Sequence, residues 1–268
     1  MTSEISARAA HAGTRAEKLR LLPPWPDGSQ ISDEPLVQEV RRGNVHPTGH
    51  VLSAKMGCKL QYRSPNERAF LILAEVDPNV VRIAARPTYS SALIDGSIDG
   101  HYPDYAILVA GKAEVHEVKS DDQYGHRDLV RRLAFHCREI EARGCVYSVA
   151  LRSELFAEPR FGRAARLWPF STSRIAPGQD AAVKMIVQRG PIVVADLMAE
   201  LGRRMGDAAP PRRAVLGMAA RGTIVTDLAE PVGVETIVRP YDPLAMPARL
   251  IEVRRPIDDL LERYKVAA

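Results

Sequence analysis

Two apolar runs joined by only three residues constrain this chain more than any other feature. Residues 102–109 and 113–118 flank Ala110-Gly111-Lys112. Extended runs this close return on each other, which predicts a β-hairpin. Alternate residues of a strand share a face, so Glu117 and Lys119 point one way and Val118 points into the core. Downstream, Leu129, Leu133, His136, Cys137 and Ile140 recur at helical spacing. They predict a helix over 128–142 stopped by Gly144, followed by an apolar strand over 146–151. Upstream, Ser64-Pro65-Asn66-Glu67 reads as N-cap, first helical proline and capping-box acid, with Phe70, Leu71, Leu73 and Ala74 as the apolar face. Asp77-Pro78 interrupts that helix, and Val80, Val81 and Ile83 continue as an extended segment. The order helix, strands, helix, strand is that of an α/β fold with a mixed-sheet core.

A second unit follows a boundary at Pro177-Gly178. Helices are expected over 181–188, 195–201 and 212–221, with 191–194 extended. Ile224-Val225-Thr226 and residues 232–238 read as a hairpin. Three helices and a hairpin in this length suggest a small winged-helix-like domain, an architecture that serves DNA and protein binding alike. The expected division is a weakly ordered N-terminal arm over 1–42, an α/β domain over 43–175, the winged-helix-like domain over 176–240, and a tail over 241–268 with a short helix at 257–264. The turn chemistry of Pro23-Pro24-Trp25-Pro26-Asp27-Gly28 is what marks the arm.

Composition excludes several classes. With 46% hydrophobic and 26% charged residues, wholesale disorder is not expected. No run approaches the roughly 18 apolar residues of a membrane span. The first twenty residues have no apolar stretch, so a cytoplasmic location is expected rather than secretion. Cys58, Cys137 and Cys145 form no C-x-x-C pair, which argues against a disulfide scaffold or a cysteine zinc site. No glycine-rich phosphate loop is present, so ATP binding through one is not expected. Of 37 basic side chains 30 are arginine, which suits phosphate recognition and is equally what a GC-rich genome writes. Residues 64–170 carry 14 basic and 15 acidic side chains, so any contact with DNA there needs a local patch or a bridging cation.

The chemistry lies in Pro103-Asp104 and Glu117-Val118-Lys119. The hairpin can bring Asp104 beside Glu117, and two carboxylates that close repel unless a cation lies between them. Oxygen donors of this kind suit Mg2+, with Mn2+ as a substitute. Lys119 can orient or deprotonate a water, or stabilise charge on a phosphate. These are the parts for metal-assisted phosphodiester hydrolysis. The same residues also fit a plain strand entrance and a solvated charge pair. Glu67 is either a third carboxylate or only a capping residue. His101 and His116 flank the motif strands and read as surface groups or neighbours of the site; His101 could touch DNA or a metal-bound water. His46, His126 and His136 have no ligand spacing. Arg127, Arg131 and Arg132, at the start of the 128–142 helix, read either as phosphate contacts or as a solvated face.

Gly43-Asn44-Val45-His46-Pro47-Thr48-Gly49, Ser53-Ala54-Lys55-Met56, Ser64-Pro65-Asn66-Glu67-Arg68 and Asp77-Pro78-Asn79-Val80 follow one another in order. Arg86-Pro87, Tyr102-Pro103-Asp104-Tyr105 and Glu117-Val118-Lys119 complete the series. Together they resemble the TnsA endonuclease family over residues 43–170. The resemblance implies a restriction-endonuclease-like core followed by a winged-helix domain. It further implies a Mg2+-dependent endonuclease that cuts one strand of double-stranded DNA at each transposon end. A separate transposase would cut and join the other strand, often with a regulatory ATPase. Carried over by position, Glu67 matches the helix glutamate, Asp104 the metal-holding aspartate, Glu117 the second metal-side position and Lys119 the catalytic lysine. The Val118 carbonyl is expected as an additional metal ligand. Lys55, Arg86, Arg127, Arg131 and Arg132 are the expected DNA contacts. Arg63 and Arg86 depart from the pattern, standing where an acidic residue and a glutamine are common; Arg86 could contact a phosphate, or pair with a carboxylate and crowd the metal. Replacing Asp104 with Ala is expected to abolish cleavage and leave the fold intact. A catalytically silent adaptor and a stand-alone restriction or repair nuclease are the alternatives.

Overall fold

A computed structural model describes residues 15–37, 47–176, 178–206, 211–226, 232–242, 245 and 248–264. Among the described residues the elements in chain order are first helix α1 (Arg15–Leu21), strands β1 (Gly49–Ser53) and β2 (Cys58–Tyr62), and helix α2 (Pro65–Val76). Strands β3 (Val80–Ala85), β4 (Ser90–Ile94), β5 (Ser97–His101), β6 (Tyr105–Val109) and β7 (Lys112–Lys119) follow. Helices α3 (Asp121–Tyr124) and α4 (Arg127–Glu141) lead to β8 (Val146–Leu151), α5 (Arg152–Leu155), α6 (Arg160–Leu167) and a 3₁₀ turn at Trp168–Thr172. The remainder is α7 (Gln179–Val187), β9 (Ile192–Val193), α8 (Val194–Met205), α9 (Pro211–Ala220), β10 (Ile224–Thr226), β11 (Ile237–Pro240) and α10 (Pro256–Tyr264).

The expected hairpin is β6–β7, and it forms the middle of a four-stranded mixed sheet in the order β3-β6-β7-β8. Ala110 and Gly111 turn it with φ of +49° and +79°, the left-handed pair whose twist matches a two-residue hairpin. β3 and β6 are antiparallel and β7 and β8 parallel. A connection between parallel neighbours needs a crossover, and α3 and α4 supply it. Alternation along β6 divides the core. Tyr105, Ile107 and Val109 join one apolar cluster with Phe70–Ala74 of α2. Ala106 joins another with Val130, Leu133 and Cys137 of α4 and Tyr147 and Val149 of β8.

Two antiparallel hairpins escaped the sequence reading, β1–β2 and β4–β5. The second turns on Asp95 and Gly96, with φ of +51° and +80°. That Asp-Gly pair is a recognised hairpin signal.

The 178–242 unit contains α7, α8, α9 and a three-stranded antiparallel sheet in the order β10-β11-β9. Its Val183, Leu197, Val215 and Met218 belong to the same apolar cluster as α2, so the core is continuous across the expected boundary. Gly222 sits where a side chain would strike Pro78: a Cβ there would lie 2.8 Å from the Pro78 Cα. Arg221 donates to the Ser171 carbonyl at 2.6 Å and to that of Ser173.

The two ends of the described chain are packed. Residues 1–14 and 38–42 of the expected arm lie outside the described residues. Over 15–37, Asp33 accepts from Trp25 Nε1 at 2.9 Å and from the buried Arg82 Nε at 2.8 Å. At the other end, Arg254 exchanges backbone hydrogen bonds of 2.7 and 2.9 Å with Val149 on the free edge of β8. Helix α10 lies on α4, with Tyr124 donating to Asp259 at 2.7 Å and Arg255 paired with Glu141 at 2.8 Å. Within the expected tail, residues 248–264 therefore form a strap on the sheet, and they include the expected short helix. All three cysteines are free thiols. Among the described residues no helix is long and apolar enough to cross a membrane.

Lys55, expected to meet DNA, is instead an interior cation. It is 8% exposed, and its ammonium donates to the carbonyls of Ala74 at 2.9 Å, Val80 at 2.7 Å and Asp77. The buried Glu75 accepts from Ser53 Oγ at 2.6 Å and from the Ala54 amide at 2.7 Å. Burial pushes Lys55 down to about 8, against the pull of Glu75 and Asp77. Replacing Lys55 with Met strands three carbonyls and should cost roughly 2–4 kcal/mol of stability at neutral pH. Between pH 8 and 10.5 the unfolded chain holds the Lys55 proton and the folded chain does not, so folding gains stability from this group as pH rises. The cost of Lys55→Met, read from urea unfolding, should therefore grow across that window.

Candidate active site

Strand register assembles the site. Ala85 pairs with Tyr105 and Tyr105 with His116. One residue further on, Arg86, Asp104 and Glu117 stand side by side at one end of the sheet. Two backbone-linked contacts fix the row: the Arg86 amide donates to the Asp104 carbonyl at 2.9 Å, and the Val118 amide to Asp104 Oδ2 at 2.8 Å. Lys119 and Glu117 share a strand face as expected, and their side chains form an ion pair. Val118 lies in the apolar cluster beneath.

Glu67 comes from the first turn of α2. Ser64 caps that helix, its Oγ accepting from the Glu67 amide at 3.1 Å. The Glu67 carboxylate reaches back to the Arg63 amide at 2.9 Å instead of to Ser64. Tyr105 Oη donates to the same oxygen at 3.2 Å, and the Tyr105 ring stacks on Phe70 at 5.1 Å. One Glu67 oxygen thus holds the helix start, while the other faces Arg86 at 3.4 Å. The capping and site roles are served by different atoms of one carboxylate.

All four expected core residues, Glu67, Asp104, Glu117 and Lys119, line one open cavity of about 970 Å³. Burial raises the Glu67 pKa and repulsion from Asp104 adds to this, while Arg86 opposes both. Burial would also raise Glu117, but Lys119 and then His101 hold it well below the usual carboxylate range. Burial would lower Lys119, yet Glu117 and Asp104 raise it. The carboxylates beside Lys119 thus favour its charged form.

Of the two roles expected for Arg86, phosphate contact or pairing with a carboxylate, the structure shows the second. Arg86 is buried, and its guanidinium bridges Asp104 and Glu67, occupying the space between them that a cation would take. Burial would lower its pKa, and Asp104 with Glu67 raises it instead. It is bound to carboxylates here and not presented for DNA.

The remaining expected DNA contacts divide. Arg131 pairs with Asp95 at 2.6 Å, away from the cavity. Arg132 lines the cavity while paired with Asp99 at 2.5 Å. Arg127 is not among the residues lining the cavity. Two further arginines, Arg63 and Arg152, do line it. Arg152 could have been found from pairing: Lys119 lies opposite Leu151 in the parallel β7–β8 ladder, and Arg152 follows. His101 Nε2 stands 3.0 Å from Glu117 Oε2, its ring 4.8 Å from that of His136. His116 is buried beneath the sheet end and bonded to Ser148 Oγ at 2.9 Å. His136 is held by Ser90 and Asp99. His46 lies outside the described residues.

Among the described residues, no group of three or more His, Cys, Asp or Glu side chains is placed so that it could hold a metal ion. The donor set nonetheless fits a hard divalent cation, because every candidate ligand is an oxygen. Glu117 Oε2 is moreover buried and makes no regular hydrogen bond, with His101 Nε2 3.0 Å away. An unsatisfied carboxylate oxygen in such a place is costly unless a cation meets it. No protein-family model matches the chain, and no curated protein matches it. The similarity to TnsA endonucleases therefore rests on the motif residues quoted above.

The Arg86 pair alters one expectation. Asp104→Ala does not simply empty a ligand position, because it leaves a buried guanidinium with one distant partner. It should cost about 3 kcal/mol in urea unfolding. Asp104→Asn, which keeps the acceptor for the Val118 amide, should cost less. Adding Arg86→Met to Asp104→Ala should restore most of the loss, and strictly additive effects would refute the coupling.

Proposed function

We propose that this protein is a Mg2+-dependent DNA endonuclease, with a restriction-endonuclease-like core and a winged-helix-like unit at 178–242. The observation that carries the reading is the register-built row of Asp104 and Glu117 with Lys119 on the same strand face. Glu67 joins it from α2, and all four open on one cavity. Asp104, Glu117, the Val118 carbonyl and Glu67 would hold the ion. Bound there, a divalent cation supplies charge stabilisation at the phosphate and lowers the pKa of a coordinated water. The protein's own part is orientation. Lys119, kept protonated by Glu117, donates to a water or phosphate oxygen. Arg152 and Arg63 on the cavity wall give the DNA backbone cationic partners. The order of elements over 178–242 (helix, short strand, two helices, two strands) supports the winged-helix reading. Action at transposon ends beside a transposase, with an ATPase regulator, is the part supported by the resemblance alone.

A second reading has a specific observation behind it. Arg86 already neutralises Asp104 and Glu67, as it would in an adaptor that keeps the nuclease core and binds DNA or a transposase without cutting. A stand-alone nuclease differs from the first reading in genome context, since a neighbouring transposase reading frame is expected only for the transposon enzyme.

Nicking of supercoiled plasmid, with the chain alone and with its neighbouring transposase, tests the proposal. Strand cutting should require Mg2+ or Mn2+ and stop with EDTA. Lys119→Met should reduce it at least about 100-fold while DNA affinity changes little. DNA binding without nicking under all of these conditions establishes the adaptor instead.

A further inference from the structure

Arg86 is held differently at its two ends. Its backbone has φ of +48°, a left-handed conformation that costs a non-glycine residue about 1–3 kcal/mol and persists only when its surroundings impose it. They do so from both sides. The Arg86 amide is bonded to Asp104, and its carbonyl accepts from the Leu36 amide at 3.1 Å. The next residue is held too, since the Pro87 carbonyl accepts from Ser32 at 2.8 Å. The Arg86 side chain, by contrast, lines the open cavity. The backbone of Arg86 is thus anchored by hydrogen bonds, and the guanidinium is the part of the residue that faces the cavity.

The charges give rotation of the guanidinium a cause. Glu67, Asp104 and Glu117 face Arg86 and Lys119, leaving one net negative charge among these five groups. A divalent ion placed there with Arg86 still seated turns this into one net positive charge and sets like charges in contact. A phosphodiester brings one negative charge and offers the guanidinium a forked acceptor of the kind it leaves.

We propose that Arg86 is an internal rival of the divalent cation: it occupies Asp104 and Glu67 until metal and DNA arrive together, then transfers to a phosphate oxygen of the DNA backbone. This rests on the metal-dependent reading above. It makes Arg86 a positioning residue that couples the two ligands. The metal alone then binds weakly, and each ligand strengthens the other by the same factor.

The test is calorimetric titration of Mn2+ into the full chain, with and without a short DNA duplex. For the wild type, the duplex should tighten Mn2+ binding about tenfold or more. Arg86→Gln should bind Mn2+ alone about tenfold more tightly than wild type, and the duplex should then add less than about threefold. Arg86→Lys, which keeps the charge, should stay weak for Mn2+ alone. Circular dichroism and thermal unfolding establish that each variant is folded. If Arg86→Gln does not fold, the wild-type coupling and Arg86→Lys decide. Equal Mn2+ affinity in wild type and Arg86→Gln, or a wild type indifferent to the duplex, overturns the role of Arg86 and leaves the nuclease reading standing. Absence of Mn2+ binding in every protein, duplex present, removes both.

Discussion

Three carboxylates meet at one end of a buried sheet, and their mutual repulsion is the constraint to which the surrounding structure answers. Glu67, Asp104 and Glu117 are each less than a tenth exposed. Charges so placed persist only when paired and hydrogen-bonded. Arg86 and Lys119 pair them, the Val118 and Arg63 amides complete their hydrogen bonding, and Tyr105 closes over Glu67. One oxygen, Glu117 Oε2, is left without a regular hydrogen bond. The compensation is internal to the chain, and it leaves that one oxygen over.

The parts that hold this site lie far apart in sequence. Residues 29–37 reach the corner after β3 through Ser32 and Leu36, and Asp33 anchors them to Arg82 inside the sheet. The strap at 248–264 covers the β8 edge and the back of α4. An open sheet edge is a hazard for unwanted pairing, and Arg254 closes part of this one. The second unit is seated on α2 through a shared core. The helix that delivers Glu67 is thus braced from both sides, which favours a rigid first turn.

Much of the local structure was legible in the residues. The hairpin turn, the Ser64 cap, α4 and β8 all fell close to expectation, because each depends on short-range pattern and turn chemistry. That the hairpin can bring Asp104 near Glu117 was legible too, but the register was not: the expected three-residue turn would set Asp104 opposite Val118, and the actual two-residue turn, with Val109 opposite Lys112, sets it opposite Glu117. The β4–β5 hairpin was missed although Asp95-Gly96 announces it. Lys55 was expected to meet DNA because it stands in the stretch that carries the family resemblance, and only the packing of α2 over β1–β2 turns it inward onto three carbonyls. Arg131 and Arg132 looked like phosphate contacts because their partners, Asp95 and Asp99, sit on that missed hairpin.

The sequence by itself determined the α/β order of elements, the presence of the central hairpin and the residue types at the strand end, all set by periods and turns a few residues long. The tertiary structure alone decided which cation stands between the carboxylates. Arg86 is 18 residues from Asp104 and 19 from Glu67, and nothing local aims its side chain. Its place follows from antiparallel pairing of β3 with β6, from α2 lying across that pair, and from a left-handed backbone enforced by the arm at Leu36. Ion pairs across such separations depend on distance in space, and that distance exists only once the core has packed.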